Sequence, residues 1–370
     1  MAGERKAFKD WFDMAAARAL ASQFRLAWGS FDEDAFCQRA AEGLEGLGFH
    51  ERVKQFSRAL REALPEKPGE AMEVIRASLP PVLSGAHSIS EGWLQWPIGQ
   101  WIADYGFDDY EGAMALMLEL TQRFSSEFAV RPFLARRPDE TLERLLDWTS
   151  HPSEHVRRWC SEGARPRLPW GQRLAAFEEA PWPTLPILEA LKDDPSGYVQ
   201  LSVGNHLNDL GKTNPEMVVA LSGRWLKELP GRRKVVERAL RTLVKQGHRG
   251  ALELLGFGAP EAIKVAFKVE PRRVRIGGAI QLWARIGAKR GVATEVLVDY
   301  GIHFQRRVGG LGRKVFKWKR LSLPAGETVE LTREHKMVET TVRTLNPGIH
   351  KVDIQINGEV ATELEFELLR

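Results

Sequence analysis

The sequence predicts a mainly α protein, a solenoid of stacked helical repeats over residues 1–257 followed by a small β-sandwich over residues 258–370. Three observations carry this. Apolar residues recur with a helical period through the first two thirds of the chain. A Pro-Ser helix start returns after 43 residues. Beyond Phe257 the pattern changes to short alternating runs separated by turn residues.

The helical stretches include DWFDMAAARALASQFRLAW, ERVKQFSRALREALP and YEGAMALMLELTQRFSSEFAVRPFL, with Pro and Gly falling mainly between them. HPSEHVRRWCSEG at 151–163 then aligns with DPSGYVQLSVGNH at 194–206, pairing Pro152 with Pro195, Ser153 with Ser196 and Val156 with Val199. A period of roughly 40 to 47 residues with a buried Val is the mark of HEAT-type repeats. GRRKVVERALRTLVKQG at 231–247 is a weaker echo. Pro152 supplies a rigid first turn and Ser153 a capping hydroxyl, so this helix is expected to run to about Gly163. On it His155, Arg158, Trp159 and Glu162 share one face. A cation, an indole and a carboxylate together make a poor core face, so the face reads as a working surface or as a solvated helix holding an Arg158 to Glu162 ion pair.

The strand-like runs are AIKVAFKV, AIQLWARI, TEVLVDYGIHF, KVFKWKRLSL, TVELTREH, HKVDIQI and EVATELEFEL, with turn signals such as Pro324-Ala325-Gly326 and Asn357-Gly358. Seven or so such strands predict an immunoglobulin-like or fibronectin-like sandwich without its disulfide. Gly256 to Pro260 reads as a short linker.

Composition narrows the class. The two cysteines, Cys37 and Cys160, lie far apart, and the nine histidines form no HExxH motif, so no disulfide framework, metal or cofactor is expected. The first residues, MAGERKAFKDWFDM, hold no apolar leader and no apolar run is long enough to cross a bilayer, so the chain is read as cytoplasmic with no membrane partner. From Gly258 onward 20 Lys and Arg face 13 Asp and Glu, whereas the whole chain has 53 against 49. All the excess positive charge therefore sits in the C-terminal third, as expected where two modules share a polyanionic partner.

Two further segments, RFSSEFAVRPF at 123–133 and VGNHLNDLGK at 203–212, are expected to place Glu127 and Asp209 near the ends of amphipathic helices. Glu127 precedes Glu162 by 35 residues and Glu162 precedes Asp209 by 47, the latter being the repeat of 43 plus about one helical turn. The three acids are thus candidates for equivalent helices of successive repeats, converging on a concave face.

FSSEFAVRPFL, HPSEHVRRWCSEGARPRLPWG and LKDDPSGYVQLSVGNHLNDLGK resemble the AlkC branch of the AlkC/AlkD-like DNA alkylation-repair glycosylases. GLEGLGFHERVKQFSRAL and GWLQWPIGQWIADYGFDDYEGAMALMLELTQRF extend the resemblance over almost the entire chain. It implies removal of N3-methylated bases, chiefly 3-methyladenine and, in this branch, 3-methylcytosine. It also implies the subset with an Ig-like C-terminal domain, and a lesion left in or near the stack rather than flipped. The catalytic role passes by resemblance to Glu127, Glu162 and Asp209, of which any one is a candidate to orient the water. Methylation at N3 already makes the base a cationic leaving group, so carboxylates that stabilise an oxocarbenium-like sugar suffice. No lysine nucleophile is needed, hence a monofunctional glycosylase without lyase action. Trp170 is the candidate to hold the lesion, an indole face attracting a cationic base by about 0.5 to 2 kcal/mol. Trp159 followed by Cys160 departs from the family's usual smaller or aliphatic residues.

Phosphate contacts are expected from Arg131, His155, Arg157, Arg158, Arg165, Arg167 and Arg173, with Arg158 also positioning Glu162 and Arg131 positioning Glu127. In RRVGGLGRKVFKWKR at 306–320, seven cations and no acid surround a glycine-rich centre, which marks Arg306, Arg307, Arg313, Lys314, Lys317 and Lys319 as a second DNA-binding patch. The expected partner is double-stranded DNA with alkylated bases, bound by a monomer in the cytoplasm, nucleoid-associated in a bacterium. A non-catalytic helical-repeat scaffold and a damaged-DNA binder are the alternatives, against which the intact acids weigh.

Overall fold

The computed structural model describes residues 7–85, 89–258, 263–288, 294–340 and 344–370. Part of the expected linker, at Pro260, lies outside the described residues.

Local chemistry starts the helices. Asp13, Asp32 and Asp109 cap α1 (Met14–Ala27), α2 (Glu33–Ala41) and α7 (Tyr110–Leu120), each carboxylate accepting an N–H from the first turn at 3.0 Å. In α3 (Phe49–Ala63), Glu51 reaches back to the Gly48 N–H at 2.7 Å. Proline sits in the first turn of α4 (Pro68–Ser78), α6 (Trp96–Tyr105), α8 (Arg131–Arg136), α9 (Pro138–Asp147) and α12 (Leu185–Leu191), where its missing N–H costs nothing. The short helices α5 (Ile89–Gly92) and α11 (Ala175–Glu179) complete this set together with α10 (Glu154–Gly163), α13 (Gly197–Leu210), α14 (Pro215–Glu228), α15 (Arg233–Lys245) and α16 (Arg249–Leu254).

The chain forms two compact units, one of Met1–Asn214 with Gly231–Ala239, the other of Pro215–Pro230 with Leu240–Arg370. The change from helix to strand falls after Phe257, yet α14 and α16 belong to the second unit. In the first unit helices pack on their sequence neighbours and on helices two or three further along the chain, α10 lying against α12 and α13. Its core is apolar, with Leu20, Phe56, Ile102, Met117, Phe133, Val156, Val199 and Leu207 fully buried.

The second unit holds eight strands among the described residues: β1 (Ile263–Glu270), β2 (Arg273–Arg275), β3 (Ala279–Ala288), β4 (Thr294–Gln305), β5 (Leu311–Leu323), β6 (Thr328–Lys336), β7 (Gly348–Ile356) and β8 (Glu359–Leu369). They form sheets β1-β3-β6 and β2-β8-β7-β4-β5. Side chains from the two sheets share their cores, Ile280 and Leu282 with Ile302, Val352 and Phe366 in one cluster, Ile286 and Leu331 with Val298 and Ile354 in another. The seven runs read from the sequence are seven of these strands, and β2, three residues long and parallel to β8, is too short to show an alternation. On β7 the buried Asp353 and Gln355 form a polar network with His303 of β4 and Arg313 of β5.

Candidate active site

Glu127 does not end a helix as expected. Helix α7 stops at Leu120, and Ser126 takes over the backbone, its Oγ donating to Met117 O at 2.8 Å and its N–H donating to Thr121 Oγ1 at 3.4 Å. Side chains that bond nearby backbone compete with the helix, and Pro132 restarts it at α8, so Glu127 is held in the intervening turn.

The repeat at 43 residues is structural: α10 begins at Glu154, α13 at Gly197, and the two helices pack together. Neither Ser153 nor Ser196 caps with its hydroxyl, contrary to expectation. Instead the residue two places earlier accepts the serine N–H, His151 Nδ1 at 3.1 Å and Asp194 Oδ1 at 2.8 Å. These two acceptors are also 43 residues apart.

The three candidate acids are joined by arginines into a ladder of alternating charge. Arg158 Nη1 donates to Glu127 Oε2 and, at 2.8 Å, to Ser125 Oγ, while Nη2 lies 3.5 Å from Glu162 Oε1. Arg165 bridges the other two acids, donating from Nη1 to Glu162 Oε1 at 2.6 Å and from Nε to Asp209 Oδ2 at 2.8 Å, with Nη2 2.7 Å from the same oxygen. Ser202 Oγ donates to Glu162 Oε2 at 2.6 Å, and Lys212 Nζ to Asp209 Oδ1 at 2.9 Å. All three acids are buried, and Asp209 most of all. Burial by itself would raise the Glu162 carboxyl, but Arg158 and Arg165, helped by Ser202, outweigh it and hold it below its ordinary value. Beneath the ladder His206 Nδ1 donates to Ser161 O at 3.0 Å, and burial with Arg165 nearby lowers this imidazole to about 4, so it is neutral at physiological pH.

Several arginines sit elsewhere than the sequence suggested. Arg131 is fully buried and shows no hydrogen bond to Glu127 among the described residues, only its charge lying near it; its guanidinium donates to the carbonyls of Gln172, of Gly163 at 2.9 Å and of Pro166 at 3.5 Å. Burial lowers it to about 10, still protonated at neutral pH. It braces the chain after α10 and has no surface to offer a phosphate. Arg165 is likewise buried between its two acids. The α10 face read as a working surface is interior: His155 and Trp159 are buried, Trp159 stacking on Trp148 at 5.4 Å and His155 lying edge-on to Tyr198 at 6.0 Å. Arg157 forks onto Asp194 at 2.6 and 3.0 Å, and Arg167 and Arg173 both bind Glu178. Cys160 is fully buried, and burial raises its thiol.

Trp170 stands out, 59% exposed and with φ 66°, a left-handed conformation rare for a residue with a side chain. Its ring lies near Phe8, Phe49, His50 and Trp96, the last nearly parallel at 6.3 Å. A cleft of about 370 Å³ runs between Trp170, Trp96, His50, Lys54 and Phe128. Phe128 follows Glu127 directly, so cleft and ladder share one turn.

In the second unit the β4 to β5 turn carries exposed Arg306 and Arg307, with Gly309 and Gly310 at φ 88° and 76° closing it. Lys314, Lys317 and Lys319 are exposed on β5. Arg313 differs from them, forked onto the buried Asp353 at 2.8 and 2.7 Å.

Reading by sequence missed Tyr198, Ser202, Lys212 and Glu178. Tyr198, Ser202 and Asp209 recur on one face of α13, and the guanidinium of Arg158 lies over the Tyr198 ring at 5.3 Å. That spacing was a usable signal for the first two; nothing local singles out Glu178.

The fold and the site define a helical-repeat protein with a C-terminal immunoglobulin-like domain and a buried, arginine-braced set of carboxylates. Residues 264–370 match the family described as "Uncharacterised protein YhaZ, C-terminal Ig-like domain". The chain is 33% identical over 351 residues to the uncharacterized protein YhaZ of Bacillus subtilis (strain 168), covering 94% of this chain and 96% of that one. Its structure is similar to the Pseudomonas fluorescens alkylpurine DNA glycosylase AlkC bound to DNA containing an abasic site analog, with a TM-score of 0.92 and 35% identity over 99% of this chain and 100% of that chain. The chain belongs to the AlkC family of DNA alkylation-repair glycosylases, in the subset carrying the C-terminal Ig-like domain.

Proposed function

We propose that this protein hydrolyses the N-glycosidic bond of cationic N3-alkylated bases in double-stranded DNA, 3-methyladenine and 3-methylcytosine among them, as a monofunctional glycosylase in base excision repair. The observation that carries the reading is the convergence of Glu127, Glu162 and Asp209 through Arg158 and Arg165. The base leaves as a neutral molecule once the bond to C1′ breaks, and the cationic sugar is stabilised by preorganised negative charge. Both oxygens of Glu162 are already bonded, which suits a fixed charge facing the sugar. Asp209 shares that role. Glu127 Oε1 makes no hydrogen bond among the described residues, which suits the acceptor that orients the water and takes its proton. Trp170 offers its exposed indole to the lesion, without flipping of the base.

Residues 1–257 are read as the glycosylase domain and 258–370 as a DNA-binding domain, acting as a monomer in the cytoplasm. Phosphates are taken by Arg157, Arg167, Arg173, Arg306, Arg307, Lys314, Lys317 and Lys319. Base release from methylated duplex DNA tests the reading. Wild type is expected to release methylated base, and Glu162→Gln and Asp209→Asn to lose by about a hundredfold or more, the scale of a lost electrostatic stabiliser. No release by wild type sinks the enzyme, and full activity in both variants sinks the site.

A further inference from the structure

We propose that Glu178 is a positioning residue that locks the Trp170 loop to the helix carrying Asp209, an inference that rests on the role given to Trp170 above. Glu178 is 4% exposed and lies in α11, just after that loop. Its carboxylate gathers one arginine from each side of Trp170. Arg167 Nη2 donates to Oε2 at 2.6 Å, and Arg173 donates from Nε to Oε1 at 2.5 Å and from Nη2 to Oε2 at 2.6 Å. These bonds hold the carboxyl below its ordinary value, Arg173 contributing most.

The main chain of the same residue is tied to the opposite side of the site. Asn214 Nδ2 donates to Glu178 O at 2.8 Å and Thr213 Oγ1 donates to it at 3.3 Å. Both residues close the turn after α13, the Asn214 N–H donating to Leu210 O at 2.8 Å, one residue beyond Asp209. One residue therefore holds the indole loop by its side chain and the carboxylate helix by its backbone.

The loop between them is strained and sharply folded. Gly171 N–H donates to Leu168 O at 3.1 Å and Leu174 N–H to Pro166 O at 3.1 Å, with Trp170 at φ 66° inside. A residue with a side chain keeps such a conformation only where its surroundings over-determine it. Arg131 holds the loop from beneath through Gln172 O and Pro166 O; Glu178 joins its two flanks. Among the described residues Glu178 has no bond to Glu127, Glu162 or Asp209 side chains, so its effect on chemistry runs through the loop.

The test is Glu178→Gln in the full chain, which leaves two guanidiniums facing each other without an anion. Amide hydrogen exchange over residues 166–174 is expected to quicken. Single-turnover excision of 3-methyladenine is expected to fall by about a hundredfold, the scale of an ångström-sized misplacement. Affinity for abasic-site duplex is expected not to fall, because the Arg167 and Arg173 charges remain and lose their competing carboxylate. Combined with Trp170→Ala, Glu178→Gln is expected to add no further loss, because both act through one indole. Arg173→Gln, which cuts one flank only, is expected to quicken the same exchange by less and serves if Glu178→Gln fails to fold. Unchanged exchange in the loop, or losses that multiply in the double variant, overturns the proposal. If wild type excises nothing, the glycosylase reading falls, and loop exchange still decides whether Glu178 is the brace.

Discussion

Replacing Arg165 by Met removes the guanidinium that separates two buried carboxylates. It takes away one charged hydrogen bond to Glu162 at 2.6 Å and one to Asp209 at 2.8 Å, with its Nη2 2.7 Å from the same carboxylate oxygen, at a side chain 6% exposed. Breaking a buried pair by deleting one partner costs about 3 to 5 kcal/mol, because the other charge stays behind unpaired. Two such pairs are broken, but Arg158 still faces Glu162 and Lys212 still faces Asp209. Arg131 is also freed from a like charge. The net loss at pH 7 is therefore set at about 4 kcal/mol, within the range for one broken pair. At about 2 to 4 °C per kcal/mol for a unit of this size, calorimetry should find the melting midpoint of the helical unit lower by about 8 to 16 °C. The pH dependence carries a definite sign. Glu162 is held below its ordinary value of 4.5, with Arg165 among the causes. A depressed carboxyl contributes stability above its unfolded value and loses it as pH falls through its folded value. The gap between wild type and variant should accordingly shrink as the pH drops below about 4.5. A loss under about 1 kcal/mol at pH 7, the worth of an exposed pair, or a gap that widens in acid would refute the buried ladder.

Two further outcomes are expected. Trp170→Ala and Trp170→Gly should both lose base excision, while the Gly variant is more stable than the Ala variant by about 1 kcal/mol, because only glycine adopts φ 66° without strain; equal stability in denaturant titrations would remove the strain, and full excision would remove the indole from the site. Changing Arg306, Arg307, Lys317 and Lys319 together to Gln should flatten the salt dependence of abasic-duplex binding by a slope of up to about 0.9 for each phosphate no longer neutralised; an unchanged slope would take the β4 to β5 hairpin off the DNA.

The helix-to-strand change after Phe257 was legible because hydrophobic period is a local property, readable wherever one face of an element is buried. The 43-residue repeat was legible for the same reason, since α10 and α13 start with the same backbone and bury equivalent valines at Val156 and Val199. Glu127 was misplaced onto a helix because apolar spacing continues through 121–130, whereas the break depends on where Ser126 finds Met117 O. The exposure of the α10 face was misread because charge does not guarantee a place at the surface. His155, Trp159 and Glu162 are buried, the carboxylate being compensated by Arg158 and Arg165, one turn to either side of it, and by Ser202 of α13.

By itself the sequence determined the two architectures, their order and the repeat, all features carried by residue types at short or regular spacing, and it offered the three acids as candidates through resemblance. Only the tertiary structure decided which arginine serves which acid. Arg131 and Arg165 read alike in a linear chain, yet one holds carbonyls beneath a loop and the other holds Glu162 to Asp209 across 47 residues of sequence. A guanidinium on a long, flexible stem takes whichever acceptor folding brings within reach, and that neighbour is set by how helices pack, not by what lies beside it in the chain.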